Sequence, residues 1–248
     1  MFCEYDTGMD NSPRVTDSGI PHACPGREAS VCPESDILPI LAPDLSACRY
    51  RALRALADMA RALGKEDEAR EWDRKAEKLK QKIYEICYDE KDDFFYDVDR
   101  TGAFRRYRTE HILRLFLCGV VDREDFDRIY EKHILDPSAF GTPYPFPSVA
   151  LSDPGFRGDR LANNWGGMSQ AHSALETLFW MRQYGREEDF RGIASIWMKK
   201  WLETGTFTQE MHPVTGVASD CAPHFTTSLL AFVKFAEALG YVDAGKPS

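Results

Sequence analysis

The sequence predicts an all-α protein, a toroid or bundle of about seven helices. Three observations lead there. Apolar residues recur at spacings of three and four in several separate segments. Long polar and aromatic loops divide those segments into pairs. No strand–helix alternation of the βαβ kind appears. The helix pairs follow no fixed period, which disfavours a repeat solenoid.

Residues 1–44 read as loop, with Pro13, Pro21, Pro25, Pro33, Pro39 and Pro43 and little periodicity. So long a coil is uncommon in a compact domain, so it is either functional or outside its usual context. A first helix is expected from Asp44 or Ser46 to about Leu63, stopped by Gly64. Leu53, Leu56, Ala60 and Leu63 share one of its faces. A second helix runs from about Glu66 to Cys87, with Ala69, Trp72, Ala76, Leu79, Ile83 and Ile86 as its apolar stripe. The two form a hairpin about the glycine. Residues 90–108 read as loop with short extended pieces. Helices resume near 109–118 and 123–133. Residues 136–163 are irregular and proline-rich, and further helices are expected over 165–184, 187–203 and 224–239.

Composition narrows the function. The 31 basic and 40 acidic residues leave a net charge of −9, the wrong sign for a protein whose main partner is nucleic acid. No apolar run is long enough to span a bilayer, so no membrane association is expected. The first residues lack the basic and apolar regions of a signal peptide, so a cytoplasmic location is expected. Seven cysteines, an odd number without a CxxC pair, fit reduced thiols better than structural zinc. Cys87 and Cys118 lie in apolar helical stretches and read as small core residues. There is no GxSxG elbow, no phosphate-cradling GxxxxGK[ST] and no GxGxxG. Neither a cofactor nor a metal is called for.

Three loops carry chemistry-bearing residues. The first is Gly8-Met9-Asp10-Asn11-Ser12-Pro13-Arg14. Here glycine permits close backbone approach, and an Asp beside an Arg can position a carboxyl group against a polar ligand. A solvated turn with a surface ion pair is the plainer alternative. The second joins Gly141-Thr142-Pro143-Tyr144-Pro145-Phe146-Pro147-Ser148 to Asp153-Pro154 and Asn163-Asn164-Trp165-Gly166-Gly167. Its aromatic faces suit sugar rings and its amides suit hydroxyls, although Phe146 serves equally as a core plug. The third is Phe207-Thr208-Gln209-Glu210-Met211-His212-Pro213-Val214-Thr215-Gly216. His212 and His224 lack metal-ligand spacing, so His212 reads as a hydrogen-bonded loop histidine.

In order, GMDNSPR, GTPYPFPSVALSDPGF, NNWGGMSQA and EMHPVTG resemble the catalytic domain of glycoside hydrolase family 63, with its mannosylglycerate hydrolase-like members and, more remotely, trehalases. The match runs from about Tyr5 to Tyr241. It implies an (α/α)6 barrel, a carbohydrate substrate and inverting hydrolysis of an α-glycosidic bond. In such chemistry one carboxylic acid protonates the leaving oxygen. A second carboxylate, about 6.5–9.5 Å away, activates a water on the opposite face. The resemblance places the acid at Asp10 and substrate contacts at Arg14 and Trp165; Asn11, Tyr144, Asn164 and His212 in the same loops are further candidate substrate contacts. Its base position falls on Gln209, one residue before Glu210. A glutamine cannot take a proton from water. Either Glu210 serves as base or the base is lost.

A complete (α/α)6 barrel has twelve helices. The resemblance therefore implies an incomplete toroid, truncated at its N-terminal side. Residues 1–248 would be one catalytic domain, its C-terminal part, with 1–44 as an active-site segment. Exposed apolar faces, and an oligomer or a partner supplying the missing helices, are expected consequences. The competing expectation is a catalytically inactive carbohydrate-binding or scaffold remnant. A sugar epimerase on a related toroid would need histidine bases, and the sequence offers no convincing pair.

Overall fold

The computed structural model describes residues 1, 6–9, 11–16, 37–158, 163–219 and 221–242. The chain divides into two compact units. One comprises Met1–Met9 with Pro13–Lys132, the other Asp10–Ser12 with His133–Ser248.

The first unit opens with a single turn, α1 (Pro13–Thr16), and the long helices α2 (Pro43–Ala62) and α3 (Glu66–Cys87). Pro43 suits the first turn of α2, where its missing N–H leaves nothing unpaired. Gly64 ends the hairpin at φ +71°, a left-handed conformation that glycine takes without strain. The packed surfaces are narrower than the sequence suggests. Ala57 and Ala60 of α2 and Ala69 and Ala76 of α3 are buried, whereas Leu56 and Leu63 are 40% and 73% exposed. Small side chains let helices approach closely, and the larger residues beside them are left at the rim.

Residues 88–105 form two tight antiparallel hairpins. In one, β1 (Tyr88–Asp89) pairs with β2 (Phe94–Phe95). In the other, β3 (Asp97–Val98) pairs with β4 (Phe104–Arg105). Phe94, Phe95 and Tyr96 are buried. The unit closes with α4 (His111–Cys118), which packs on α2, and α5 (Arg123–Ile129). A π-helical turn follows at Tyr130–Ile134.

The second unit is a three-helix cluster of α6 (Ala171–Gln183), α7 (Glu187–Thr204) and α8 (Thr226–Leu239), each packed on the other two. Its core is aromatic: Trp180, Trp197, Trp201 and Phe235 are all buried, and the Trp201 and Phe235 rings stack at 6.3 Å. Phe146 is buried beside Trp180. A two-stranded sheet pairs β5 (Ser169–Gln170) with β6 (Glu210–Met211), in register Ser169↔Met211 and Gln170↔Glu210. The helix expected from residue 165 therefore begins only at Ala171, because residues 164–170 are used in holding loops and building this sheet. Among the described residues, seven helices have seven residues or more, as the periodicity suggested. No helix there is long and apolar enough to cross a membrane.

Candidate active site

Asp10 lies outside the described residues. The rest of its loop is fixed at both ends, each within its own unit. In the first unit Arg14 is 1% exposed and lies between two carboxylates. Its Nη1 and Nη2 donate to Asp44 at 2.9 and 2.7 Å, and its Nε and Nη2 donate to Asp97, both at 2.7 Å. The remaining Nη1 proton points at the Met9 sulfur, 3.3 Å away. All five guanidinium N–H groups are thus engaged inside the protein, and Arg14 is built as an anchor for the loop. Burial works against charge on Asp44, but the Arg14 guanidinium outweighs it and holds the carboxyl well below the usual carboxylate range.

In the second unit, Asn11 donates from Nδ2 to the Asn163 carbonyl at 2.6 Å. Asn11 and Asn163 both adopt left-handed backbone conformations, with φ of 66° and 41°. Asparagine tolerates this region better than other non-glycine residues.

Glu210 sits on β6 and has no exposed surface. Its Oε2 accepts from the Asn164 backbone N–H at 2.8 Å and from Gln170 Nε2 at 2.6 Å. Its Oε1 is buried and has no hydrogen-bond partner. The neighbouring Gln170 Oε1 and the Ser12 hydroxyl are buried and unpaired in the same way. Native proteins rarely leave such groups unpaired, so a ligand, a water or a reacting group is the usual reason for one. The carboxylate is therefore gripped by one oxygen and bare at the other.

Gln209 is half-buried and faces a different set of groups. Its Nε2 donates to Asn163 Oδ1 at 3.0 Å, and its Oε1 accepts from the Cys221 thiol at 3.4 Å. Asn164 is a buried hub. Its Nδ2 donates to the Arg157 carbonyl and its Oδ1 accepts from the Gly166 N–H, so its amide is occupied by backbone. Trp165 follows it and is 6% exposed. Tyr144 is half-buried, with its ring against Gly216 and the Lys200 ammonium 5.5 Å from the ring centre. His212 accepts at Nδ1 from the N–H groups of Val214 and Thr215, capping the Pro-Val-Thr-Gly turn as a loop histidine.

The structure thus gathers Asn11, Asn163, Asn164, Gln209 and Glu210 in one linked cluster, while Tyr144 and His212 meet around the turn at Gly216. Sequence reasoning missed two contributors. Gln170 holds the Glu210 carboxylate, and Asn163 joins Gln209 to Asn11. Only the NNWGG motif hinted at the second. Among the described residues no group of three or more metal-ligating side chains occurs. Cys48, Cys87, Cys118 and Cys221 form no disulfide with another described cysteine, and burial pushes the Cys87 thiol up to about 12.

The chain belongs to the mannosylglycerate hydrolase MGH1-like glycoside hydrolase family, whose sequence model matches residues 2–228. Its fold is similar to that of the GH63 mannosylglycerate hydrolase of Thermus thermophilus, solved with Tris and D-glycerate. That likeness has a TM-score of 0.71 at 16% identity and covers 93% of this chain and 64% of that one. It is also similar to neutral trehalase Nth1 from Saccharomyces cerevisiae, with a TM-score of 0.68 at 16% identity, covering 83% of this chain and 38% of that one. An uncharacterised protein of Borreliella burgdorferi is 27% identical over 117 residues, 47% of this chain and 24% of that protein. The chain spans less than two thirds of the length of each. These likenesses bear out the expected fold class: the helices are those of an (α/α)6-barrel glycosidase, present in part.

Proposed function

We propose that this chain is the catalytic part of an inverting glycoside hydrolase acting on an α-glucoside or α-mannoside. Residues 1–248 form one catalytic domain in this reading, with 1–44 contributing an active-site segment. Asp10 is the general acid and Glu210 the general base. The observation that carries the reading is the Glu210 carboxylate. One oxygen is fixed by Asn164 and Gln170, and the other is open to accept a proton from water. Asn11 and Trp165 contact the sugar, and Tyr144 and His212 shape the rim. Asn164 acts through its N–H on Glu210, and Arg14 through its hold on the loop that carries Asp10. No cofactor takes part. The odd number of cysteines without a CxxC pair supports a cytoplasmic setting.

The test is to follow the product anomer by NMR on α-glucosides and α-mannosides. Asp10→Asn and Glu210→Gln should each lower kcat by about 10²–10⁴-fold, the usual contribution of a positioned acid or base. An unchanged rate in either variant removes that residue from its role, and a retained anomer removes the inverting mechanism. The full burial of Glu210 favours a second reading, a carbohydrate-binding domain without turnover. Calorimetric sugar binding with no hydrolysis would select it.

A further inference from the structure

Gln209 occupies the position where the resemblance puts a base, yet its amide is already committed on both sides. It donates to Asn163 Oδ1 at 3.0 Å and accepts from Cys221 Sγ at 3.4 Å. At neutral pH a carboxylate has no proton to donate and could not fill both roles, whereas an amide can. The next link runs from Asn163 to Asn11, whose Nδ2 reaches the Asn163 carbonyl at 2.6 Å. Asn11 follows Asp10 in the chain, and Gln209 precedes Glu210. The backbone is unusual at the same place. Of the four described non-glycine residues with positive φ, Asn11, Asn163 and Ala222 belong to this network or adjoin it. Such conformations persist only where surrounding contacts impose them, and they concentrate at functional sites.

We propose that Gln209 is a positioning residue. Together with Asn163 it forms an amide clamp that fixes the Asn11 segment, and with it the loop bearing the acid, relative to the strand bearing the base. This rests on the glycosidase reading for its catalytic consequence, though the clamp itself does not. Two consecutive residues hold two consecutive partners: Gln209 takes the Asn163 side chain, and Glu210 takes the Asn164 N–H. The separation of acid and base decides whether a water fits between them, so a clamp between Asn11, next to Asp10 in the chain, and Gln209, next to Glu210, acts on kcat.

The experiment compares the wild-type chain with Gln209→Ala, Gln209→Glu, Asn163→Gly and the Gln209→Ala/Asn163→Gly double variant. Glycine at 163 keeps the positive φ and removes only the amide. Each single variant should lose on the order of 10–100-fold in kcat with little change in KM, the loss that a misplacement approaching 1 Å produces. The double variant should be no worse than either single one, as expected for two halves of one interaction. Gln209→Glu should not restore turnover to Glu210→Gln. Hydrogen exchange read by mass spectrometry should show faster exchange in peptides covering Asn11 and Asn163 in Gln209→Ala and in Asn163→Gly, whatever the turnover. Unchanged exchange at Asn11 would overturn the clamp. Additive losses, an effect confined to KM, or a Gln209→Glu chain that rescues Glu210→Gln would overturn the positioning role. A wild-type chain that hydrolyses nothing overturns the glycosidase reading, while the exchange measurement still decides the clamp.

Discussion

Arg14 shows how a motif residue can be taken up by the fold, with every N–H of its guanidinium engaged inside the protein. Its sequence context suggested a substrate contact, because an Asp and an Arg four residues apart suit a polar ligand. What the sequence does not display is the pair of carboxylates, 30 and 83 residues further along, that close around the guanidinium. Removing one member of a buried ion pair strands the others, at a cost of about 3–5 kcal/mol. Arg14→Leu should therefore lower unfolding stability by that amount in urea titrations, and a loss under about 1 kcal/mol would contradict the anchor. The same cluster sets the acid limb of stability. Asp44 titrates well below its ordinary 3.8 in the folded protein, so its contribution is complete above that value and is lost as the pH falls toward the folded one. His111 adds an earlier decline. Burial first, and Arg14 second, depress it below 6.5, so it stays neutral when folded, and unfolding takes up a proton once the pH drops below 6.5. The urea midpoint should fall gently from pH 6.5 and steeply below 3.8.

At the scale of elements, helices were the most legible part of the sequence. A stripe at spacings of three and four defined α3 at both ends, and Gly64 marked where α2 stops; in the structure a left-handed glycine also follows α4, α7 and α8. The start of α6 was not legible, because Trp165 and Met168 continue a helical period although Ser169 and Gln170 are paired with a strand 40 residues away. Long-range pairing also hid the grip on Glu210. The turn after β6 allows a direct test. Gly216 has φ +64°, and a Cβ there would run into the Tyr144 ring. Gly216→Ala should destabilise the protein by about 1–3 kcal/mol through strain and overpacking. Thermal melting checks this, and Tyr144→Ala in the same chain should relieve part of the loss.

For the molecule as a whole, charge and exposed apolar surface act against each other. The net charge of −9 keeps copies apart near neutral pH, and it vanishes near the isoelectric point of about 5.2. In the second unit Phe179, Leu202, Leu229, Leu230 and Val233 are all 42% or more exposed on α6, α7 and α8. Exposed apolar side chains favour association once repulsion is removed. Light scattering should show larger particles near pH 5.2 than at pH 8, and Leu202→Lys with Val233→Lys should reduce them. Equal scattering at both pH values would show that these side chains are harmless.

The hydrogen bond from Asn11 to Asn163 joins residues 152 positions apart. During synthesis the early motif therefore leaves the ribosome long before its partner exists. At about 5–20 residues per second, the wait is roughly 8–30 s. Throughout that time Arg14 with Asp44 and Asp97, and Arg114 with the Thr7 carbonyl, can already hold the neighbouring stretch, and the strand with Glu210 is made later still. The Asn11–Asn163 and Asn164–Glu210 links are thus among the last contacts to form, and a chain released before residue 210 would keep the Arg14 ion pairs but lack the carboxylate that Asn164 holds.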